Sequence, residues 1–383
     1  MNLLPAELIN HILYFTHNRI FDLCLVNKYF NQNVKAVRIT NNLNYLEMKD
    51  EHISLLPNLS SIFLILDDNI TNKGLRKMKN LTKLEIHDAF HKLNDNILSN
   101  LLKLTKLKLS SSFNITDDAV SILTNLTSLK LDGEFNLTDK TIKNLSDLTT
   151  LYIPNHDNIT NEGIKDLTKL KKLSLGRNKI VTDITHLTNL TYLNLSGNDI
   201  ISNINTLTNL THIDLDHNNI ISEKDIKRLP KLIGLGLENN KIISDISELT
   251  NLTSLDLSNN TVTKDEQLIL LTRLSYLNLQ TNSVITEQAL LKLSNLTKLD
   301  LGGNSIITNI STLTNLTDLN LLGNEIIIDE QLMCLANLNS LNLIMNFRIT
   351  AQVITKLPKL LKISIMDSNI GKDDVRYIRD VIC

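Results

Sequence analysis

The chain has 383 residues, 39 basic and 41 acidic, for a formal charge of −2. Its 75 Leu and 50 Asn stand against only 11 Gly, 5 Pro and no Trp. This composition is too apolar for a disordered chain and too poor in Gly and Pro for a collagenous one, and the near-neutral charge gives no global pull toward nucleic acid or anionic lipid. No apolar run reaches the roughly 18 residues needed to span a bilayer. A length prior of about 150 residues per domain suggests two or three domains.

The first forty residues carry a pattern of their own. Pro5 suits a helix start, and Leu8, Ile12, Leu13 and Phe15 follow at helical spacing. A second run puts Leu23, Val26, Asn27 and Phe30 on one face. Two or three short amphipathic helices are predicted. The segment lacks the basic start of a signal peptide, and Glu7 and His11 interrupt its apolar run. Cys24, Cys334 and Cys383 cannot frame a disulfide scaffold in a chain of this length. A reducing, intracellular setting (cytoplasm or nucleus) is expected.

From residue 59 the template L-x-x-L-x-L, with Ile allowed, recurs fifteen times at steps of 20 to 23 residues, the last beginning at Leu360. In "LTYLNLSGN" Leu193 and Leu195 point to one side of a short strand and Asn194 to the other. Such a strand cannot bury its apolar face alone, so neighbours must stack around one continuous Leu/Ile core. From Leu170 onward an Asn stands eight positions after the first Leu, at Asn178, Asn198, Asn218, Asn240, Asn260, Asn282, Asn304, Asn324 and Asn346. A turning backbone buried between repeats leaves donors and acceptors that an amide satisfies in both senses, so this column is read as structural. Repeats in 59–169 lack it and carry phrases such as "ITDDAVSIL" and "ITNEGIKDL" instead. Thr before Asp or Asn, followed by apolar residues three or four apart, predicts a capped convex helix. The 20-residue repeats are shorter on that side.

These phrases resemble the leucine-rich repeat. The resemblance implies an α/β solenoid: a curved parallel sheet with a mixed helical and irregular convex side. The words "LLPAELINHIL" and "DLCLVNKYF" resemble an F-box, through Leu4, Pro5, Glu7, Leu8, Ile12, Leu13, Asp22, Leu23, Val26, Asn27 and Lys28. A short gap between the halves and Phe30 in place of the common Trp depart from that pattern. The organisation expected is an F-box-like module (1–40), the repeat solenoid (41–370), with "LNYLEM" at Leu43 to Met48 as a truncated first repeat, and a C-terminal capping segment (371–383). "VRYIRDVIC" is read there as a capping helix. The F-box resemblance implies that Leu4, Pro5, Leu8, Ile12, Leu13, Leu23 and Val26 contact the Skp adaptor of a Skp–cullin–F-box ubiquitin ligase, the concave face holding a protein target. A cap without a partner is the other reading of the same helices. The rival function is an interaction scaffold or phosphatase-regulator-like repeat protein; a secreted adhesin is opposed by the missing signal peptide and cysteine caps.

No catalytic motif of hydrolase, metalloprotease or phosphate-loop type occurs. No enzymatic activity, cofactor, metal, nucleic acid or membrane is expected, and the chain is expected to be a monomer outside its complex. Gly234 and Gly236 are read as keeping the concave face open, the pair His87 and His91 as lacking a third ligand, and His212 and His217 around Asp214 and Asp216 as solvated surface. The many N-x-T triplets follow from the repeat word "LTNLT". The outward columns of the strands carry Lys83, Lys106, Lys108, Lys130 and Lys172 early. Later they carry Asp214, Asp216, Glu238, Asp256, Asp300 and Asp318, interleaved with Tyr192, His212 and Tyr276. A bipolar binding face is predicted, with target contacts at Tyr192, His212, Asp214, Asp216, Glu238, Asp256, Tyr276 and Asp300. Leu322, Ile344 and Met366 form an outward apolar stripe, which marks either a partner site or a surface under the C-terminal segment; covering by that segment is the favoured expectation.

Overall fold

The computed structural model describes residues 36–40, 50–53, 56, 58–65, 70–87, 94–110, 115–133 and 135–382. The adaptor-contact residues Leu4, Pro5, Leu8, Ile12, Leu13, Leu23 and Val26 lie outside them, as do His91, Cys24, Cys383 and the "LNYLEM" phrase. The chain forms two compact units, Met1–Leu190 and Thr191–Cys383. Each is a leucine-rich-repeat solenoid of the α/β class expected from the sequence.

In the first unit the strands are β1 (Ala36–Thr40), β2 (Ser61–Ile65), β3 (Lys83–His87), β4 (Lys106–Ser110), β5 (Ser128–Asp132), β6 (Thr150–Tyr152) and β7 (Lys172–Ser174). Each pairs in parallel with the next. Because β1 pairs with β2 from Ala36 to Thr40, the sheet begins inside the segment assigned to the N-terminal helices. Alternation decides what is buried. In β3 the side chains of Leu84 and Ile86 are each 1% exposed, while Lys83 faces solvent. The chain then returns through one-turn helices at Asn72–Leu75, Asp95–Leu98, Asp117–Val120, Asp139–Lys143 and Asn161–Ile164.

The Thr-Asp phrases behave as helix starts, and they also bond across repeats. Thr138 accepts the Lys140 N–H as an N-cap. Its own N–H and hydroxyl donate to Asp117 in the preceding helix at 2.8 and 2.6 Å. The Asp95–Thr116 and Asp139–Thr160 pairs repeat this geometry. A threonine one residue ahead of each of β3 to β6 does similar work on the other side: the Thr82, Thr105, Thr127 and Thr149 hydroxyls donate to carbonyls one repeat earlier.

The second unit contains β8 (Tyr192–Asn194), β9 (His212–Asp214), β10 (Gly234–Gly236), β11 (Ser254–Asp256), β12 (Tyr276–Asn278), β13 (Lys298–Asp300), β14 (Asp318–Asn320), β15 (Ser340–Asn342), β16 (Lys362–Ser364) and β17 (Asp380–Ile382). All pairings are parallel between consecutive strands. One-turn helices occur at Glu223–Ile226, Asp265–Leu268, Glu287–Leu290, Asp329–Leu332 and Ala351–Ile354. The shorter repeats cross their convex side in turns, as their length predicts.

The Asn column forms the predicted ladder. Asn218, Asn240, Asn260, Asn282, Asn304, Asn324 and Asn346 each donate to the backbone carbonyl of the preceding ladder Asn at 2.6–3.2 Å. Their side-chain oxygens accept the N–H groups two and three residues on, as Asn240 does from Ile242 and Ile243. All are 0–1% exposed. The residue before each ladder Asn adopts positive φ: glycine at 197, 303 and 323, but Arg177, His217, Asn239, Asn259, Thr281 and Met345 elsewhere. A second, outer Asn row comes from "LTNL" and its variants "LSNL" and "LANL": the amides of Asn295, Asn315 and Asn337 donate to Thr272, Ser294 and Thr314 carbonyls one repeat earlier.

The C-terminal reading is corrected. The described part of this segment, 371–382, does not form a capping helix: Lys372–Val375 is a 3₁₀ turn, and β17 continues the sheet on β16. The segment extends the edge of the sheet instead of crossing its outward column. Leu322 and Ile344 remain half-buried and Met366 is 45% exposed. The reason is local: Val375 and Ile378 are buried at 0% and 5%, so the last apolar pair completes one more turn of the core.

Candidate functional site

In the first unit the outward side chains of β2 to β7 line an open groove of about 430 Å³ that includes Phe63, Lys83, Glu85, Lys106, Lys108, Ser128, Lys130, Thr150 and Lys172. Two rows of lysine follow from register. Lys83 pairs with Lys106 on the next strand, and Lys108 with Lys130, so like charges lie about one strand spacing, ~4.8 Å, apart along the sheet. Directly opposed like charges destabilise a sheet. Glu85 is the one acid in the lining; it accepts from Lys108 and from His87, each at 2.8 Å. Burial pushes the Glu85 carboxyl up, but hydrogen bonds from His87 and Lys108 outweigh it and hold the group below its ordinary range. Lys83, Lys106, Lys130 and Lys172 have no partner among the described residues. Convex lysines contrast with them: Lys140 pairs with Asp118, Lys165 with Glu162 and Lys169 with Asp147.

In the second unit the predicted target contacts fall into two rows. Tyr192, His212, Gly234, Ser254, Tyr276, Lys298 and Asp318 are successive neighbours in one row. Asn194, Asp214, Gly236, Asp256, Asn278, Asp300 and Asn320 are neighbours in the other. Asp216 and Glu238 lie just past their strands, and the Glu238 N–H donates to Asp216 at 2.8 Å. The sequence reading therefore brings together Tyr192 with His212, Asp214 with Asp216 and Glu238, and Tyr276 with Asp256 and Asp300.

The acids of the inner row have structural duties that sequence reasoning missed. Asp214, Asp256 and Asp300 each accept the backbone N–H two residues on, at 2.9–3.1 Å. Each also accepts a neighbouring Asn amide: Asn194 to Asp214 at 2.5 Å, Asn278 to Asp256 and Asn320 to Asp300 at 2.8 Å. Asn194, Asn278, Asn320 and Asn342 close the same two-residue turn. The signal was present: this column is nearly restricted to Asn, Asp and Ser, the types that bond their own backbone. Tyr192, His212, Glu238, Tyr276 and Asp318 remain the members without that turn duty.

Burial, and then Asp214, push the Asp216 carboxyl far above the carboxylate range, to about 8. Burial pushes Tyr276 to about 12, with Asp256 and Asp300 adding to it, so its hydroxyl stays a donor at neutral pH. The glycines are explained by the same crowding. A Cβ on Gly234 would collide with the His212 imidazole, and one on Gly236 would stand 3.0 Å from an Asp216 oxygen. Among the described residues no group of three His, Cys, Asp or Glu is placed to hold a metal ion, and no helix is long and apolar enough to cross a membrane.

No protein-family model and no curated protein matches the chain. Solved structures do. A leucine-rich-repeat protein of Leptospira interrogans is 24% identical with a TM-score of 0.51, over 90% of this chain and 97% of that one. The functional domain of InlJ from Listeria monocytogenes is 27% identical with a TM-score of 0.50, over 82% and 69%. The mouse RP105/MD-1 complex matches at 18% identity and a TM-score of 0.51, over 90% and 71%. These likenesses define the class: the fold is the leucine-rich-repeat solenoid.

Proposed function

We propose that this chain is a recognition subunit that presents a protein target to a ubiquitin ligase. Its outward strand residues hold the target, and its F-box-like N-terminal segment binds a Skp adaptor and, through it, a cullin ligase. The observation that supports recognition is the side-chain inventory of the strands. Tyr192, His212, Glu238 and Tyr276 project outward and belong neither to the buried Leu/Ile core nor to the Asn ladder. RP105 offers a parallel, as a leucine-rich-repeat chain solved in complex with a partner protein, MD-1. The adaptor half rests on the phrase Leu4, Pro5, Glu7, Leu8 with Asp22, Leu23 and Val26. With no nucleophile assigned, the chain acts by positioning a target beside another protein's catalytic machinery.

The test is a pull-down of the full chain with a purified Skp adaptor, comparing the natural sequence with Leu8→Asp/Leu23→Asp. Substitutions are preferred to truncation, because β1 starts at Ala36 and belongs to the sheet. Adaptor capture that is lost in the variant, with circular dichroism unchanged, is the expected result. Absence of capture by the natural chain, or capture that survives both substitutions, leaves the interaction-scaffold reading in its place.

A further inference from the structure

We propose that the lysine groove of the first unit receives an acidic, extended peptide segment, running across β2 to β7. This deepens the recognition reading and rests on it for the idea that a protein is bound at all. The groove itself supplies the chemistry. Five lysines line it against one acid, Glu85. Glu85 is already engaged by His87 and Lys108, so it neutralises at most one of the five. Lys83, Lys106, Lys130 and Lys172 are left with no partner among the described residues.

Geometry narrows the partner. From Lys83 on β3 to Lys172 on β7 there are four strand steps, or about 19 Å at ~4.8 Å each. An extended peptide rising about 3.3 Å per residue crosses that distance in roughly six residues, and its alternate side chains face the sheet. Carboxylates on those alternate positions meet lysines in both rows, because Lys83, Lys106 and Lys172 share one row while Lys108 and Lys130 share the other. The same rows hold Ser128 and Thr150, whose hydroxyls can bond a peptide backbone or carboxylate.

A single-stranded nucleic acid fits less well. Its bases need aromatic platforms along the path, and the outward face of β2 to β7 offers only Phe63 on β2 and Tyr152 on β6 among the described residues, four strands apart. Complementarity of sign alone would admit either polymer; two separated rings cannot stack successive bases, which decides for the peptide.

The experiment uses the full chain and three fluorescein-labelled probes: an alternating Glu-Ser peptide of eight residues, its Gln-Ser counterpart, and an oligothymidylate of similar extended length. Fluorescence anisotropy is expected to show binding of the acidic peptide only, weakening as salt is added. Lys106→Glu/Lys130→Glu should lower the affinity by more than about tenfold. Both lysines are exposed, so the fold is not at risk. Lys298→Glu, on an outward strand position of the second unit, should leave affinity within about twofold, because it lies outside the groove.

Equal binding of the Gln-Ser peptide, tighter binding of the oligothymidylate, no binding of any probe, or equal loss in the Lys298→Glu variant would each overturn the proposal. The Skp pull-down is an independent readout. Loss of peptide binding with adaptor capture intact removes the groove assignment alone. Peptide binding without adaptor capture supports the groove and removes the ligase reading.

Discussion

Asn240 shows what one ladder residue holds. Its amide donates to the Leu215 carbonyl at 3.2 Å and the Asn218 carbonyl at 2.6 Å. Its oxygen accepts from Ile242 at 3.1 Å and Ile243 at 2.9 Å, and the side chain is 0% exposed. Asn240→Ala orphans the buried Ile243 N–H and the part-buried Ile242 N–H, at up to about 1–3 kcal/mol each, and opens a small void. The Leu215 carbonyl keeps the Asn218 N–H at 3.0 Å, so the acceptor side loses less. A destabilisation of about 3–5 kcal/mol is expected, against about 0.5–1 kcal/mol for Asn315→Ala in the exposed outer row. Asn240→Asp retains the acceptor but sets a carboxylate oxygen against two carbonyls. Its folded pKa must rise above the unfolded value of about 3.9, so its deficit grows as pH rises past that value. Urea denaturation followed by circular dichroism measures all three. Equal costs for Asn240→Ala and Asn315→Ala, or an Asp variant insensitive to pH, would refute the ladder argument.

Three further outcomes follow from other columns. His156 occupies the ladder position of its repeat, where its Nε2 is buried without a partner and Ile159 N–H reaches only the His156 carbonyl at 3.5 Å. Burial lowers its pKa, against the bond to the Pro154 carbonyl, so the folded state resists protonation and stability falls as pH drops below about 6.5. His156→Asn should remove that acid sensitivity and raise stability by about 1 kcal/mol, read as melting temperatures above and below that pH; a less stable variant at neutral pH would contradict it. Asp216 binds its proton more tightly folded than unfolded, so stability falls as pH climbs from about 4 to about 8. Asp216→Asn should flatten that slope in a urea titration, and an unchanged slope would count against it. Thr281, β-branched at φ +51°, should gain up to about 1 kcal/mol as Thr281→Gly, while Thr281→Ala should not gain.

The repeat was legible because its signals are redundant. The Leu spacing, the Asn column and the change in convex length each point to the same strand and turn positions, and Asn218 to Asn346 bond as their spacing implies. The site was less legible, for a physical reason. Asp214, Asp256 and Asp300 read as a ligand surface because sequence gives charge without direction; in the structure each closes the turn after its own strand. The C-terminal segment misled through its helical-looking "VRYIRDVIC", since Val375 and Ile378 fit a further turn of core as well as an amphipathic helix. Its strand, β17, also needs β16 as a template, which no local pattern reveals. The lysines at 83, 106, 108, 130 and 172 were visible as charge, whereas the pairing of Lys108 with Glu85 and the lack of partners at the other four required register.

The most direct test of the recognition account is hydrogen–deuterium exchange of the full chain with and without a Skp adaptor. The expected result is slowed exchange confined to the segment containing Leu4, Leu8, Leu13, Leu23 and Val26, with the strands bearing Tyr192, His212 and Tyr276 unaffected. Protection centred on those strands, or none anywhere, would contradict the division between adaptor-binding and target-binding parts.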